Sequence, residues 1–187
     1  MKRKYAPLAV VLLLAVYYYC GAEIFAALLL SVTVHEGGHA AAIRICGGRL
    51  NDFRMEISGF SMSSSGIDSG AGEIFTLLAG PAAGLLLSAI LFQLNGGFAK
   101  TTAIISFALS AYNLLPAIPL DGGRVLFIVV SNRCDRESTR KILNVCGVIM
   151  GTALVILGTV SMKIALTAGG IWILIAQTGI VKSMRMM

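Results

Sequence analysis

Ile24 to Ile43 reads IFAALLLSVTVHEGGHAAAI, and within it His35 and His39 are the only two histidines of the chain, four residues apart with Glu36 between them. Residues four apart share one face of an α-helix, so this spacing lets two imidazoles reach a single metal ion. Glu36 then lies beside the metal as a candidate proton acceptor, the arrangement of an HExxH zinc site. The surrounding residues are so apolar that the helix belongs in a lipid bilayer, where polar groups are costly and usually functional. The alternative is two polar residues hydrogen-bonded to neighbours inside a helix bundle.

The rest of the chain agrees with a bilayer. Hydrophobic residues make up 57% of the sequence, charged residues only 13%, and the mean hydropathy is +0.85, which excludes an ordinary soluble domain. Apolar blocks run over 6–21, 24–43, 74–94, 101–120, 142–160 and 164–180. Most approach the ~20 residues a helix needs to cross ~30 Å of hydrocarbon, so the expected fold is an all-α polytopic membrane protein with about six transmembrane helices. The first block follows Lys2, Arg3 and Lys4 but closes on no Ala-x-Ala site, and is read as a retained helix, not a cleaved signal peptide. With a cytoplasmic amino terminus, all of the 15 Lys and Arg except Lys100 and Lys163 fall on or near the cytoplasmic side. That asymmetry predicts a multi-pass protein of a bacterial cell membrane with both termini cytoplasmic. It also explains the net charge of +6 without a nucleic-acid partner. Cys20, Cys46, Cys134 and Cys146 show no metal spacing and read as small apolar fillers.

A catalytic zinc takes three protein ligands and leaves a fourth position for water, so one more ligand is needed, a carboxylate or, failing that, a cysteine. Asp121 is the carboxylate that stands out. It ends an apolar block in the run Asn113 to Arg124, NLLPAIPLDGGR. One reading is a helix broken by Pro116 and Pro119 with Asp121 capping the next helix. The other is functional: prolines free backbone groups inside the membrane, which is tolerated where they line a water-filled cavity.

Together, His35-Glu36-Gly37-Gly38-His39, Gly80-Pro81-Ala82-Ala83-Gly84 and the run from Asn113 to Gly123 resemble the site-2 protease family of intramembrane zinc metalloproteases, peptidase family M50. The six-helix plan with HExxH on the second helix is similar to that of its stage IV sporulation branch, which processes a pro-sigma factor. The resemblance implies one Zn2+ per chain on His35, His39 and Asp121, Glu36 as general base, and Asn113 as a catalytic residue positioning or polarising the substrate. It also implies hydrolysis of peptide bonds in membrane-anchored protein substrates, with membrane inhibitors or regulators as partners. The family's Gly-Pro motif commonly ends in asparagine where this chain has Gly84. The soluble regulatory domain that follows the last helix in the sporulation branch is expected to be absent, because the sequence stops at Met187.

Between the second and third blocks, Phe53, Met55 and Ile57 alternate with Arg54, Glu56 and Ser58, a period-two pattern that predicts a short β-hairpin within 47–72. An extended substrate could add to its edge as a further strand, against Phe53, Met55 and Ile57 and near Pro116 and Pro119. Gly59 to Gly72, rich in serine and glycine, is expected to be a mobile connector. The competing function is a catalytically silent regulator of protease descent that binds membrane segments without cutting. Substrate identity and oligomeric state are left open.

Overall fold

The computed structural model describes residues 6–56, 59–65 and 70–185. The chain divides into two units, Met1–Tyr112 and Asn113–Met187.

The first unit begins with α1, Ala6–Ile45, which takes up both of the first two apolar blocks. It is two helices meeting at a kink, because Gly21 leaves helical geometry with φ 83° and ψ 168°. That region of backbone space is open essentially to glycine alone. Two strands follow, β1, Arg49–Glu56, and β2, Gly59–Ser65, paired antiparallel with Phe53 opposite Met62 and Met55 opposite Phe60. A register shift between Leu50 and Asp52 breaks the ladder's regularity. Here β2 occupies the stretch expected to be a mobile connector. Its serine and glycine content is weak strand chemistry, but cross-strand pairing overrides intrinsic preference in sheets. Ile57 lies outside the described residues, as do Lys2, Arg3 and Lys4.

Helices α2, Gly70–Phe92, and α3, Gly97–Asn113, complete the unit. They are joined by hydroxyls: Ser88 Oγ donates to the Ala103 carbonyl at 2.8 Å and Ser106 Oγ to the Gly84 carbonyl at 2.9 Å. Thr102, Ala103, Ser106 and Ser110 are fully buried, so α3 presents small residues and lets the two backbones come close. Each interhelical hydrogen bond of this kind contributes about 0.6 kcal/mol in a membrane protein. Within α1, the Ser31 and Thr33 hydroxyls donate to carbonyls one turn back, which satisfies them in apolar surroundings.

The second unit opens with a non-helical run, Leu114 to Leu120, followed by α4, Asp121–Ser131, α5, Arg136–Val160, and α6, Ile164–Arg185. The block expected to be one helix over 101–120 therefore ends at Asn113. Pro116 and Pro119 lack the N–H that a continuing helix would need. The short α4 is not among the apolar blocks read from the sequence, although a helix starting near Asp121 was one reading of the proline run; its core, Val125 to Val130, is apolar enough to form a helix of its own. Among the described residues, three helical stretches are long and apolar enough to cross a membrane where six crossings were expected: Tyr17–Ile45, Gly70–Phe92 and Arg136–Val160. Ile164–Thr178 is apolar but shorter.

Two consequences can be measured. Gly21→Ala forces a Cβ into a backbone region it avoids, and should cost about 1–3 kcal/mol in reversible unfolding from detergent micelles, although no atom stands within 4 Å of the added methyl. At the head of α5, Asp135 accepts from the N–H groups of Glu137 and Ser138. Ser138, through its hydroxyl and its N–H, holds this exposed carboxyl below its ordinary value of 3.8. A lowered carboxyl stabilises the fold above its unfolded-state value and loses that contribution as pH falls through the folded one. Asp135→Asn should therefore flatten the stability profile below about pH 4, read by thermal denaturation.

Candidate metal centre

His35 and His39 lie one turn apart on α1, with His35 buried and His39 half-buried. Their rings meet edge to face, and the two Nε2 atoms approach to 3.3 Å. This separation is informative. Two nitrogens each about 2.0–2.1 Å from a tetrahedral zinc stand about 3.3–3.4 Å apart, so the pair already spans one edge of the expected coordination polyhedron. Glu36 is half-buried between them in sequence.

The orientation of His39 is set from α2. Its Nδ1 lies 2.7 Å from the Thr76 carbonyl oxygen, an acceptor only, so Nδ1 carries the proton and Nε2 keeps its lone pair. Metal-binding histidines are commonly held in this way by a second-shell acceptor. The bond requires close approach of the two helices, and two glycines permit it. A Cβ at Gly38 would fall 2.5 Å from the Ala79 carbonyl oxygen, and one at Gly80 would fall 2.2 Å from His39 Nε2. The Gly80-Pro81 pair, noted in the sequence as a motif, thus makes room for a ligand ring. Gly84 packs in the same fashion against Ser110, where an added Cβ would lie 2.2 Å from its Oγ. An asparagine here, as the family resemblance leads one to expect, would not fit without a shift of Ser110.

Asp121 belongs to the second unit and is the first residue of α4. The residue in the capping position is Leu120, which makes no side-chain cap, so Asp121 is not the helix cap that the sequence left open. Its carboxylate in the first turn complements the positive end of the helix dipole. The backbone before it is tightly folded: Leu120 N–H donates to the Ala117 carbonyl at 2.9 Å and Arg124 N–H to the Leu120 carbonyl at 3.0 Å. Gly122 and Gly123 press on this turn so closely that a Cβ on either would meet backbone atoms of Leu114, Leu115, Ala117 or Ile118 within 2.1–2.7 Å. Pro116 and Pro119 lie half-buried in the same run, and Asn113 ends α3. Phe53 and Met55 lie on β1.

His35 and His39 in the first unit each offer an imidazole nitrogen, and Asp121 in the second unit offers a carboxylate oxygen, the three donors that the sequence leads one to expect at a single metal ion. The donor set, two imidazoles and a carboxylate with one position left over, has the chemistry of a hydrolytic metal site, not a closed structural one. Thr76 and Gly80 were missed as functional positions. The first acts through a backbone carbonyl, which has no side-chain signature, and the second by absence of a side chain.

A six-helix chain carrying this donor set defines a class, and the comparisons name it: residues 6–155 match the family described as Peptidase M50B-like, and the chain belongs to that family. The solved site-2 protease from Methanocaldococcus jannaschii superposes with a TM-score of 0.69 over 92% of this chain and 85% of that one, at 23% identity, which establishes the shared fold. The zinc metalloprotease MJ0392 of Methanocaldococcus jannaschii is 28% identical over 155 residues, 78% of this chain and 45% of the relative. Rip3 of Mycobacterium tuberculosis, a candidate zinc metalloprotease, is 29% identical over 173 residues, 84% of this chain and 44% of its own length. The chain thus spans less than half the length of the curated relatives it matches.

Gly80→Ala tests the packing account. The added methyl must displace the His39 ring, and divalent-metal affinity measured by chelator competition should fall about 10–100-fold, the range seen when ligand orientation is lost.

Proposed function

We propose that this protein is an intramembrane zinc endopeptidase, hydrolysing peptide bonds of membrane-anchored protein substrates in or near the bilayer. The observation that carries the reading is the 3.3 Å separation of the His35 and His39 Nε2 atoms, with His39 oriented by Thr76. Membership of the M50B-like family and the named activity of MJ0392 support it. His35, His39 and Asp121 hold one Zn2+ per chain. Zinc supplies Lewis acidity, polarising a carbonyl and lowering the pKa of water to about 7.

The chain's own residues do the rest. Glu36 takes the proton from the attacking water and delivers it to the departing amine, the dual role of a general base and acid. Asn113 positions the substrate carbonyl. The broken backbone around Pro116 and Pro119 admits water, since non-helical backbone at membrane depth must be satisfied by protein or solvent. The β1–β2 pair offers an edge on which an unwound substrate, held as an added strand, meets Phe53 and Met55. Six crossings with cytoplasmic termini, as the basic residues predict, open the site toward the cytoplasm of a bacterial cell. Substrates compatible with this reading are a pro-sigma factor, an anti-sigma factor or a remnant signal peptide, with membrane inhibitors or regulators as further partners.

Glu36→Gln should retain zinc at one ion per chain yet lower turnover of a membrane-anchored substrate by about 10²–10⁴-fold, the share that general acid-base catalysis contributes. Asp121→Asn should lose stoichiometric zinc, measured by elemental analysis of the purified protein. Full cleavage by Glu36→Gln, or undiminished zinc in Asp121→Asn, would overturn the assignment.

A further inference from the structure

Gln177 is a polar side chain in the apolar middle of α6, and it is 2% exposed. A primary amide in such surroundings is costly unless its groups are partnered, so its retention calls for a task. Its Nε2 donates to the Ile118 carbonyl at 2.8 Å, across 59 residues of sequence. Ile118 lies in the turn whose last member, Leu120, immediately precedes Asp121. The amide is received from the other side by α5, where Gly147 leaves it space: a Cβ there would stand 2.4 Å from both Cδ and Nε2 of Gln177. Helices α5 and α6 thus together present one hydrogen-bond donor to one carbonyl of the broken backbone.

That carbonyl needs a donor. It lies in backbone that is not helical, so no regular helical ladder supplies one, while the neighbouring Ala117 and Leu120 carbonyls are engaged by the Leu120 and Arg124 N–H groups. Gly122 and Gly123 abut the turn from the α4 side, so the position of Asp121 is fixed by the turn it leaves. A ligand displaced by about 1 Å is a known route to lost function in a site otherwise intact.

From this geometry we infer that Gln177 is a positioning residue: by holding the Ile118 carbonyl it sets the place of Asp121 as a metal ligand. The inference rests on the zinc site proposed above. Gln177 touches neither substrate nor metal in this role. It acts through the turn.

The test uses the full-length protein in detergent or bilayers, with Gln177→Met, which keeps length and removes the donor, beside Asp121→Asn and wild type. Zinc affinity is read by chelator competition, and the ligand field by the visible absorption of the Co2+-substituted protein. Gln177→Met should bind zinc about 10–100-fold more weakly, with an altered Co2+ spectrum and a lowered kcat at unchanged KM. Should Gln177→Met fail to accumulate folded, Gln177→Leu, which also lacks the donor and is apolar like its surroundings, is held to the same expectations. Wild-type zinc affinity and a wild-type Co2+ spectrum in the folded variant would overturn the inference. If instead Asp121→Asn retains wild-type zinc affinity, the site reading itself fails, and the two failures are told apart by that third sample.

Discussion

The bond from His39 to the Thr76 carbonyl depends on two helices lying closer than ordinary side chains allow, and most of the first unit is arranged around that approach. Gly38 and Gly80 remove the Cβ atoms that would hold α1 and α2 apart. The imidazole then occupies the vacated space, with one nitrogen committed to the backbone and the other turned toward its partner on the preceding turn. In a lipid setting the apolar faces of helices give no net drive to associate, so close packing and interhelical hydrogen bonds have to supply it. Here the same close contact both joins the helices and aims a ligand.

The second unit solves a different problem. A carboxylate must be carried at the start of a helix, next to backbone that two prolines prevent from being helical. Three carbonyls of that turn, those of Ala117, Leu120 and Ile118, accept from the Leu120 N–H, the Arg124 N–H and the amide of Gln177. Glycines on α4 and α5 give the turn and the amide their room. Irregular backbone at membrane depth is concentrated around Pro116 and Pro119, and beyond the charged first turns of α5 the following helices are largely apolar.

Much of this could be read from the residues. The HExxH helix, the apolar blocks and the exceptional character of Asp121 all rest on patterns of side chains, and side-chain periodicity is what a sequence displays. Less visible were features made by backbone. The kink at Gly21 merges two blocks into one element, the prolines end α3 early, and α4 is too short to stand out as an apolar block. The partner of His39 is a carbonyl, identical in every residue, so no letter at position 76 announces it. Gln177 could have been noticed, as a lone amide in an apolar block, but its partner lies 59 residues away and no local rule connects them.

The glycine contacts differ in what they press upon. Gly84 faces a serine hydroxyl, a neighbour that could itself be exchanged for something smaller. Gly122 and Gly123 face only peptide backbone, which no exchange of residue can shrink. A larger residue at position 84 is thus open to rescue by second-site suppressors, whereas damage at 122 or 123 has no such genetic remedy, and these two positions should stay invariant however far the lineage drifts.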